Sequence, residues 1–132
     1  KGLRIDGGRE REQVERMIGS VRIKTPGMEQ KIINLSGGNQ QKVILARWLI
    51  QNKVKVLLID EPTRGIDVGA KSEIYSLLNQ LAKQGLCVLV MSSEMPEIIS
   101  LADRVYVMKA GRINGSFERD EVTQEKLLVS AT

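Results

Sequence analysis

Two adjacent carboxylates end a short apolar run in the middle of the chain. Residues 56–59 are hydrophobic, Asp60 and Glu61 follow them directly, and a proline comes next. Such a run is typical of a β-strand, and strand ends in an α/β sheet open onto the ligand crevice. Successive side chains of a strand point to opposite faces, so we expect Asp60 to serve a metal ion and Glu61 to polarise an attacking water, as in phosphate-anhydride hydrolysis. Alternatively, both residues merely begin a turn before Pro62.

A second stretch, Leu35-Ser36-Gly37-Gly38-Asn39-Gln40-Gln41, has the composition of a phosphate-binding loop. Glycines expose backbone N–H groups, and the start of the following helix carries partial positive charge. The stretch could therefore bind a γ-phosphate. The simpler alternative is that Ser36 caps the helix and the glycines form a turn.

The elements that must position these residues follow from the spacing of apolar and turn residues. Helical periodicity alternates with short apolar runs, which predicts an α/β layer with a largely parallel sheet, entered from a helical segment. The last two strands form a hairpin around Ala110-Gly111. The predicted helices are 10–21, 39–52, 69–83, 96–102 and 124–130, and the predicted strands are 54–60, 86–91, 104–109 and 112–117.

Composition makes some classes of protein less favoured, although it does not exclude nucleic acid binding. The 132 residues, 42% of them hydrophobic and 27% charged, suit one soluble domain, and the net charge of +4 is typical of a solvated surface. Only 3% of residues are aromatic, which argues against binding single-stranded nucleic acid by stacking. The apolar runs are far shorter than the roughly 20 residues that cross a bilayer. We expect Cys87, in a predicted buried strand, and Trp48 to lie in the core.

Taken together, the two motifs resemble those of the ABC ATPase family. Leu-Ser-Gly-Gly-Asn-Gln-Gln is followed about 20 residues later by an apolar run ending in Asp-Glu-Pro-Thr, Arg64-Gly65-Ile66-Asp67 occupies the place of the D-loop, and residues 90–95 occupy that of the switch strand. More narrowly, residues 38–42, 61–71 and 92–97 resemble the second cassette of bacterial importers of ribose, galactose, xylose or autoinducer. These importers carry two cassettes in one polypeptide.

The resemblance implies a partial P-loop NTPase fold, with residues 1–35 ending the helical subdomain and residues 36–132 forming the C-terminal part of the ATPase core. In this family two cassettes enclose ATP head to tail. The signature residues Ser36, Gly37, Gly38 and Gln40 are then expected to contact ATP held by a partner cassette. Asp60, through Mg²⁺, and Glu61 are expected to act at the cassette's own site, and Asp67 to cross the interface.

The resemblance also implies partners and a location. A membrane permease is expected to bind the ATPase at the cytoplasmic face of the membrane, and a sugar-binding protein is an indirect partner. No nucleic acid partner is expected. The rival interpretations are a non-transport ABC ATPase acting on DNA or the ribosome, and a non-catalytic interaction module.

The chain departs from the family pattern in two respects. It contains no Gly-x-x-x-x-Gly-Lys-Ser/Thr, the P-loop motif, so we expect it to be part of a longer polypeptide, and to be inactive and a weak binder of ATP and Mg²⁺ by itself. It also contains no histidine, and Ser93 stands at the switch position. A serine cannot carry the positive charge of an imidazole, which predicts weak hydrolysis at this cassette's own site and hence two unequal sites.

Overall fold

The computed structural model describes residues 6–51 and 53–132. Residue 52 and the first residues of the predicted helical subdomain therefore lie outside the described residues. The second helix ends at Leu49, so its predicted extension over residues 50 and 51 is wrong. The described residues divide into two compact units, one within residues 6–57 (without 52) and 63–87 and the other formed by residues 58–62 and 88–132. Within the described ranges, no helix is both long and apolar enough to cross a bilayer.

The first unit begins with helix α1 (Gly7–Ser20), which starts three residues earlier than predicted. Asp6 explains the early start, because its carboxylate accepts hydrogen bonds from the N–H groups of Gly8 and Arg9 and caps the helix. The helix ends in a Schellman motif, in which Arg22 adopts a left-handed φ of 53°. A short 3₁₀ turn (Ile32–Asn34) then leads to the glycine-rich loop.

Helix α2 (Gly37–Leu49) and helix α3 (Val68–Lys83) form most of the core of this unit. Gly38 allows their close approach, because a Cβ built on it would lie 2.7 Å from the Cβ of Ala70. The buried apolar side chains of this unit include Val21, Leu45, Ala46, Ile74, Leu77 and Leu78. Trp48 is not among them: its side chain is 59% exposed, so the prediction that it lies in the core is wrong.

A charge cluster ties α2, α3 and the segment after α1 together. Glu73 accepts hydrogen bonds from Lys24 Nζ at 2.8 Å and from Lys42 Nζ at 2.7 Å. Lys42 is 3% exposed, and its Nζ also donates to the Arg22 carbonyl at 3.0 Å. Two hydrogen bonds lower the pKa of Glu73 from 4.5 to about 2; the bond from Lys24 has the largest effect and the bond from Lys42 the next largest.

This shift predicts an acid-dependent loss of stability. The folded-state pKa lies below the unfolded value, so the stabilisation by Glu73 is complete above about pH 4.5 and is lost as the pH falls toward 2. We therefore expect Glu73→Gln to lower the melting temperature at neutral pH, and this difference from wild type to vanish near pH 2. Glu29→Gln is the matched control, since the ion pair between Glu29 and Arg11, at 3.5 Å, is exposed. A difference that persists unchanged at pH 2 would contradict the role assigned to the carboxylate.

Strands β1 (Val56–Asp60) and β2 (Cys87–Met91) pair with each other. The Cys87 N–H donates to the Lys55 carbonyl at 2.9 Å and the Glu61 N–H donates to the Met91 carbonyl at 2.8 Å, so the two strands run in parallel. This register places Leu58 opposite Leu89 and Asp60 opposite Met91 on one face of the pair.

That face is open in the structure. Leu58, Leu89 and Met91 are 65%, 49% and 48% exposed, whereas Ile59 on the opposite face of β1 is buried. The prediction of β2 as a buried strand is therefore wrong: Cys87, Leu89 and Met91 are exposed, and the two residues between them are only half-buried. The prediction that Cys87 lies in the core is wrong for the same reason. An apolar run predicts that both faces of a strand pack against other segments, but it does not identify those segments.

The second unit continues with helix α4 (Met95–Leu101) and an antiparallel hairpin of β3 (Arg104–Lys109) and β4 (Arg112–Glu118). Ala110 and Gly111 both have positive φ, 48° and 77°, as a type I′ hairpin turn requires. Helix α5 (Gln124–Ala131) is capped by the Thr123 hydroxyl and buries Leu127. The α/β class and the order of elements are thus confirmed. The described strands form one parallel pair and one antiparallel hairpin.

Candidate functional site

The glycine-rich loop places Ser36 at the position before the first turn of α2. Its backbone is extended, with φ −62° and ψ 154°, but its side chain makes no capping hydrogen bond to the helix. The simple capping role considered from the sequence is therefore absent, and the Ser36 hydroxyl does not occupy the N–H groups of the first turn. Ser36 and Gly37 are both exposed. This arrangement leaves the start of α2 accessible to an anion.

Asn39 holds the Ser36 hydroxyl from inside the unit. The Asn39 Nδ2 donates to Ser36 Oγ at 2.8 Å, and the Asn39 Oδ1 accepts from the Lys24 N–H at 2.8 Å. Asn39 is only 8% exposed. Sequence reasoning did not assign Asn39 a role, although its position three residues after Ser36, on one side of the first helical turn, is the signal that could have done so.

The other signature residues differ in where they face. Gln40 turns back onto its own loop, where its Nε2 donates to the Leu35 carbonyl at 2.8 Å. Gly38 is buried against Ala70. A Cβ added to Gly37 would come no closer than 4.0 Å to another atom, the Gly65 carbonyl oxygen. Ser36 and Gly37 are therefore the signature residues most open to a partner.

The second group of site residues lies where β1 ends. Asp60 is exposed on the same face as Leu58, and Glu61 leaves the strand with a left-handed φ of 47°. This conformation costs a non-glycine residue roughly 1–2 kcal/mol, which is the kind of backbone strain that collects at functional sites. The side chains were expected to alternate between the two faces of the strand through Glu61, but the strand ends at Asp60. The direction of the Glu61 side chain is therefore set by a turn.

The structure brings Glu61 and Ser93 together. The Ser93 N–H donates to Glu61 Oε1 at 3.0 Å, and the Glu61 N–H is itself bound to the Met91 carbonyl. The contact to Ser93 is made by the main chain, so it does not depend on a serine side chain. It fixes the carboxylate of Glu61 beside the strand end.

The acidic residues suit a magnesium ion bound mainly by phosphate and water. In the described part of the chain, no three or more His, Cys, Asp or Glu residues cluster in a way that could enclose a metal. Mg²⁺ commonly takes one or two protein carboxylates and completes its shell with phosphate oxygens and water. The single exposed carboxylate of Asp60 fits that kind of site.

Asp67 has a structural role in addition to the one expected of it. Its carboxylate accepts from the Ala70 N–H at 2.9 Å and caps α3. Asp67 is exposed, so one carboxylate oxygen caps the helix while the residue stays at the surface. Its expected place at an interface between cassettes stays a prediction.

Comparison with known proteins finds relatives among ATP-binding proteins of ABC transporters. The sequence profile described as ABC transporter matches residues 4–64. The arabinose import ATP-binding protein AraG of Rhizobium meliloti (strain 1021) is 56% identical over 127 residues, and the ribose import ATP-binding protein RbsA of Rhodopirellula baltica is also 56% identical over 127 residues. Each alignment covers 96% of this chain and 25% of the relative. The chain therefore spans about a quarter of the length of the curated relatives it matches.

Solved structures show the same fold. CbiO1 from Clostridium perfringens, part of the ABC transporter complex CbiONQ, superimposes with a TM-score of 0.78 at 28% identity, covering 97% of this chain and 51% of that protein. The ABC transporter cassette MJ1267 gives a TM-score of 0.82 at 21% identity, covering 98% of this chain and 53% of that one. With these similarities and the signature and strand-end motifs in place, the chain belongs to the ATP-binding family of ABC transporters.

Proposed function

We propose that this chain is part of the ATPase that powers import of a monosaccharide. The relatives of 52–56% identity are named as import ATP-binding proteins for arabinose, ribose and xylose. Those names weigh against the rival of an ABC ATPase acting on DNA or the ribosome. The ATPase would bind the cytoplasmic face of a membrane permease and form, with it and a partner cassette, what we call the transport assembly.

The geometric observation that carries the proposal is the strand end at Glu61. A carboxylate held by a main-chain N–H, directly after an exposed aspartate, is suited to orient and polarise a water while a neighbour serves a metal. In the transport assembly Asp60 would hold Mg²⁺ through water, and that ion would supply positive charge to the phosphates. Glu61 would accept a proton from the attacking water.

The signature loop would act on the ATP of the partner cassette. Ser36 and Gly37 present a hydroxyl and an uncapped helix start at the surface, which is suited to a γ-phosphate brought by another protein. Gly38 would contribute its backbone N–H. Gln40 would have to leave the Leu35 carbonyl before its side-chain amide reached nucleotide, and Asp67 would lie at the same interface.

The two ATP sites of such an assembly would be unequal. Ser93 offers Glu61 a main-chain N–H but no imidazole, so this cassette's own site would hydrolyse ATP slowly. The 132-residue chain by itself, which lacks a P-loop motif, would bind Mg-ATP weakly. Residues 1–35 would belong to the helical subdomain and residues 36–132 to the ATPase core.

The proposal is tested by sugar uptake into liposomes that contain the transport assembly. Uptake of labelled arabinose, ribose or xylose is expected to require ATP on the side of the ATPase. Ser36→Ala is expected to reduce both uptake and hydrolysis about 10- to 150-fold, because a hydrogen bond to a charged group is worth roughly 1.5–3 kcal/mol. Ser100→Ala in α4 is the control substitution. ATP hydrolysis without uptake of any sugar would count against import, and full activity of Ser36→Ala would count against the signature contact.

A further inference from the structure

We propose that Asn39 is a positioning residue that directs the Ser36 hydroxyl hydrogen outward, toward a phosphate oxygen held by the partner cassette. The proposal rests on the function proposed above, in which Ser36 contacts ATP. It adds a residue, Asn39, that does not itself contact nucleotide but determines how the Ser36 hydroxyl contacts it. Asn39, Ser36 and Lys24 all lie in the first unit.

The orientation of the Asn39 side chain follows from the Lys24 main chain. A backbone N–H can only donate, so the atom of Asn39 that lies 2.8 Å from Lys24 N must be the oxygen. The amide nitrogen then points to Ser36 Oγ, at 2.8 Å. The Asn39 side chain is therefore a hydrogen-bond donor to Ser36 and not an acceptor.

This orientation constrains the hydroxyl of Ser36. A serine hydroxyl has one hydrogen to donate and two lone pairs that accept. One lone pair takes the hydrogen bond from Asn39, so the hydroxyl hydrogen cannot be directed at Asn39. Ser36 is exposed, and phosphate oxygens only accept hydrogen bonds. The hydroxyl is thus prepared as a donor before the phosphate arrives.

Burial restricts the Asn39 side chain, and its main-chain anchor at Lys24 lies next to an ion pair. Asn39 is 8% exposed, and Lys24, whose main chain orients it, is tied through its side chain to Glu73 at 2.8 Å. A preorganised donor loses little freedom when its ligand binds, which is how positioned dipoles contribute to catalysis. Without Asn39, the hydroxyl would rotate among several partners.

Asn39→Asp is the most informative substitution. The aspartate retains an oxygen for the Lys24 N–H, so the anchoring bond is kept. Its other oxygen accepts where the amide donated, so the Ser36 hydroxyl hydrogen turns inward. We expect kcat/KM for ATP in the transport assembly to fall about tenfold or more.

A double-mutant cycle with Ser36→Ala separates this role from general damage or added charge. Asn39→Asp is expected to change kcat/KM by no more than about twofold when Ser36 is already alanine, since the two substitutions remove the same interaction. An equal loss in both backgrounds would overturn the role of Asn39 and leave the Ser36 contact intact. Full activity of Ser36→Ala alone would overturn the Ser36 contact, and with it the role of Asn39.

A second variant covers the case in which Asn39→Asp does not fold. Asn39→Ala removes the donor without burying a charge, and melting temperatures identify which variants are folded. It is expected to lower kcat/KM about threefold or more when Ser36 is present, and about twofold or less in the Ser36→Ala background. The same loss in both backgrounds contradicts the proposal.

Discussion

Glu61→Gln in the transport assembly is expected to leave ATP bound and uncleaved at this cassette's own site. The glutamine amide retains an oxygen that can accept from the Ser93 N–H, so the side chain keeps its place. It cannot accept a proton from water, and loss of a general base costs about 10²- to 10⁴-fold in rate. The measurement is a single turnover with labelled ATP, followed by rapid removal of free nucleotide and a count of intact ATP retained.

Two controls separate the carboxylate's chemistry from its position. Glu61→Ala removes both the base and the acceptor for Ser93, so it is expected to retain less ATP than the glutamine variant. Ser93→Ala keeps the main-chain N–H that makes the contact and is expected to retain ATP no longer than wild type. If Glu61→Gln leaves total turnover unchanged, this cassette's site is silent and the partner site performs all hydrolysis.

Gly38→Ala is expected to destabilise the fold, and Ala70→Gly in the same chain to reverse most of that loss. The added Cβ lies 2.7 Å from the Ala70 Cβ, and overpacking of this kind costs about 1–3 kcal/mol. Once that Cβ is removed, the remaining neighbours lie at 3.8 Å and 3.9 Å, which is ordinary contact. The melting temperature of the chain and the rate of ATP hydrolysis by the transport assembly are therefore expected to fall together in the single variant and to recover together in the double variant.

Gly37→Ala is the matched control for this pair. Apart from the neighbouring residues and the backbone of α2 itself, the nearest described atom to the added Cβ is the Gly65 carbonyl oxygen at 4.0 Å, so the melting temperature should change little. Any loss of hydrolysis then reports contact with a partner. If the melting temperature of the Gly38→Ala, Ala70→Gly double variant is not restored, the packing role of Gly38 is contradicted. If it is restored but hydrolysis is still lost, the added Cβ also disturbs the nucleotide contact, and packing alone does not account for Gly38.

Local patterns predicted the elements well because each signal is short in range. The turn residues Ala110 and Gly111 fix the hairpin, and the predicted helix at residues 69–83 differs from α3 by one residue. Glu61 was identified because a carboxylate after an apolar strand is visible in the sequence. The sequence did not predict the left-handed backbone of Glu61. Nor did it predict the hydrogen bond from Ser93, because 32 residues separate Ser93 from Glu61.

The details of the signature loop depend on contacts between distant segments. The orientation of Asn39 is set by the main chain of Lys24, and the Lys24 side chain is paired with Glu73, which is 49 residues away. Nothing in the spacing of Leu35 to Gln41 indicates that Gln40 turns back to its own loop. The prediction that Cys87 is buried is wrong for a different reason. Its apolar neighbours predict that this face of the strand packs against another segment, but they do not identify that segment.

The open face of the strand pair has a practical consequence for work in solution. Leu58, Leu89 and Met91 form an exposed apolar strip on strands of a kind normally covered on both faces. Such a strip favours association between copies of the chain as concentration rises, and association stabilises the folded form by mass action. Melting temperatures of the chain alone will therefore depend on its concentration, and the Glu73 and Gly38 variants must be compared with wild type at one low concentration.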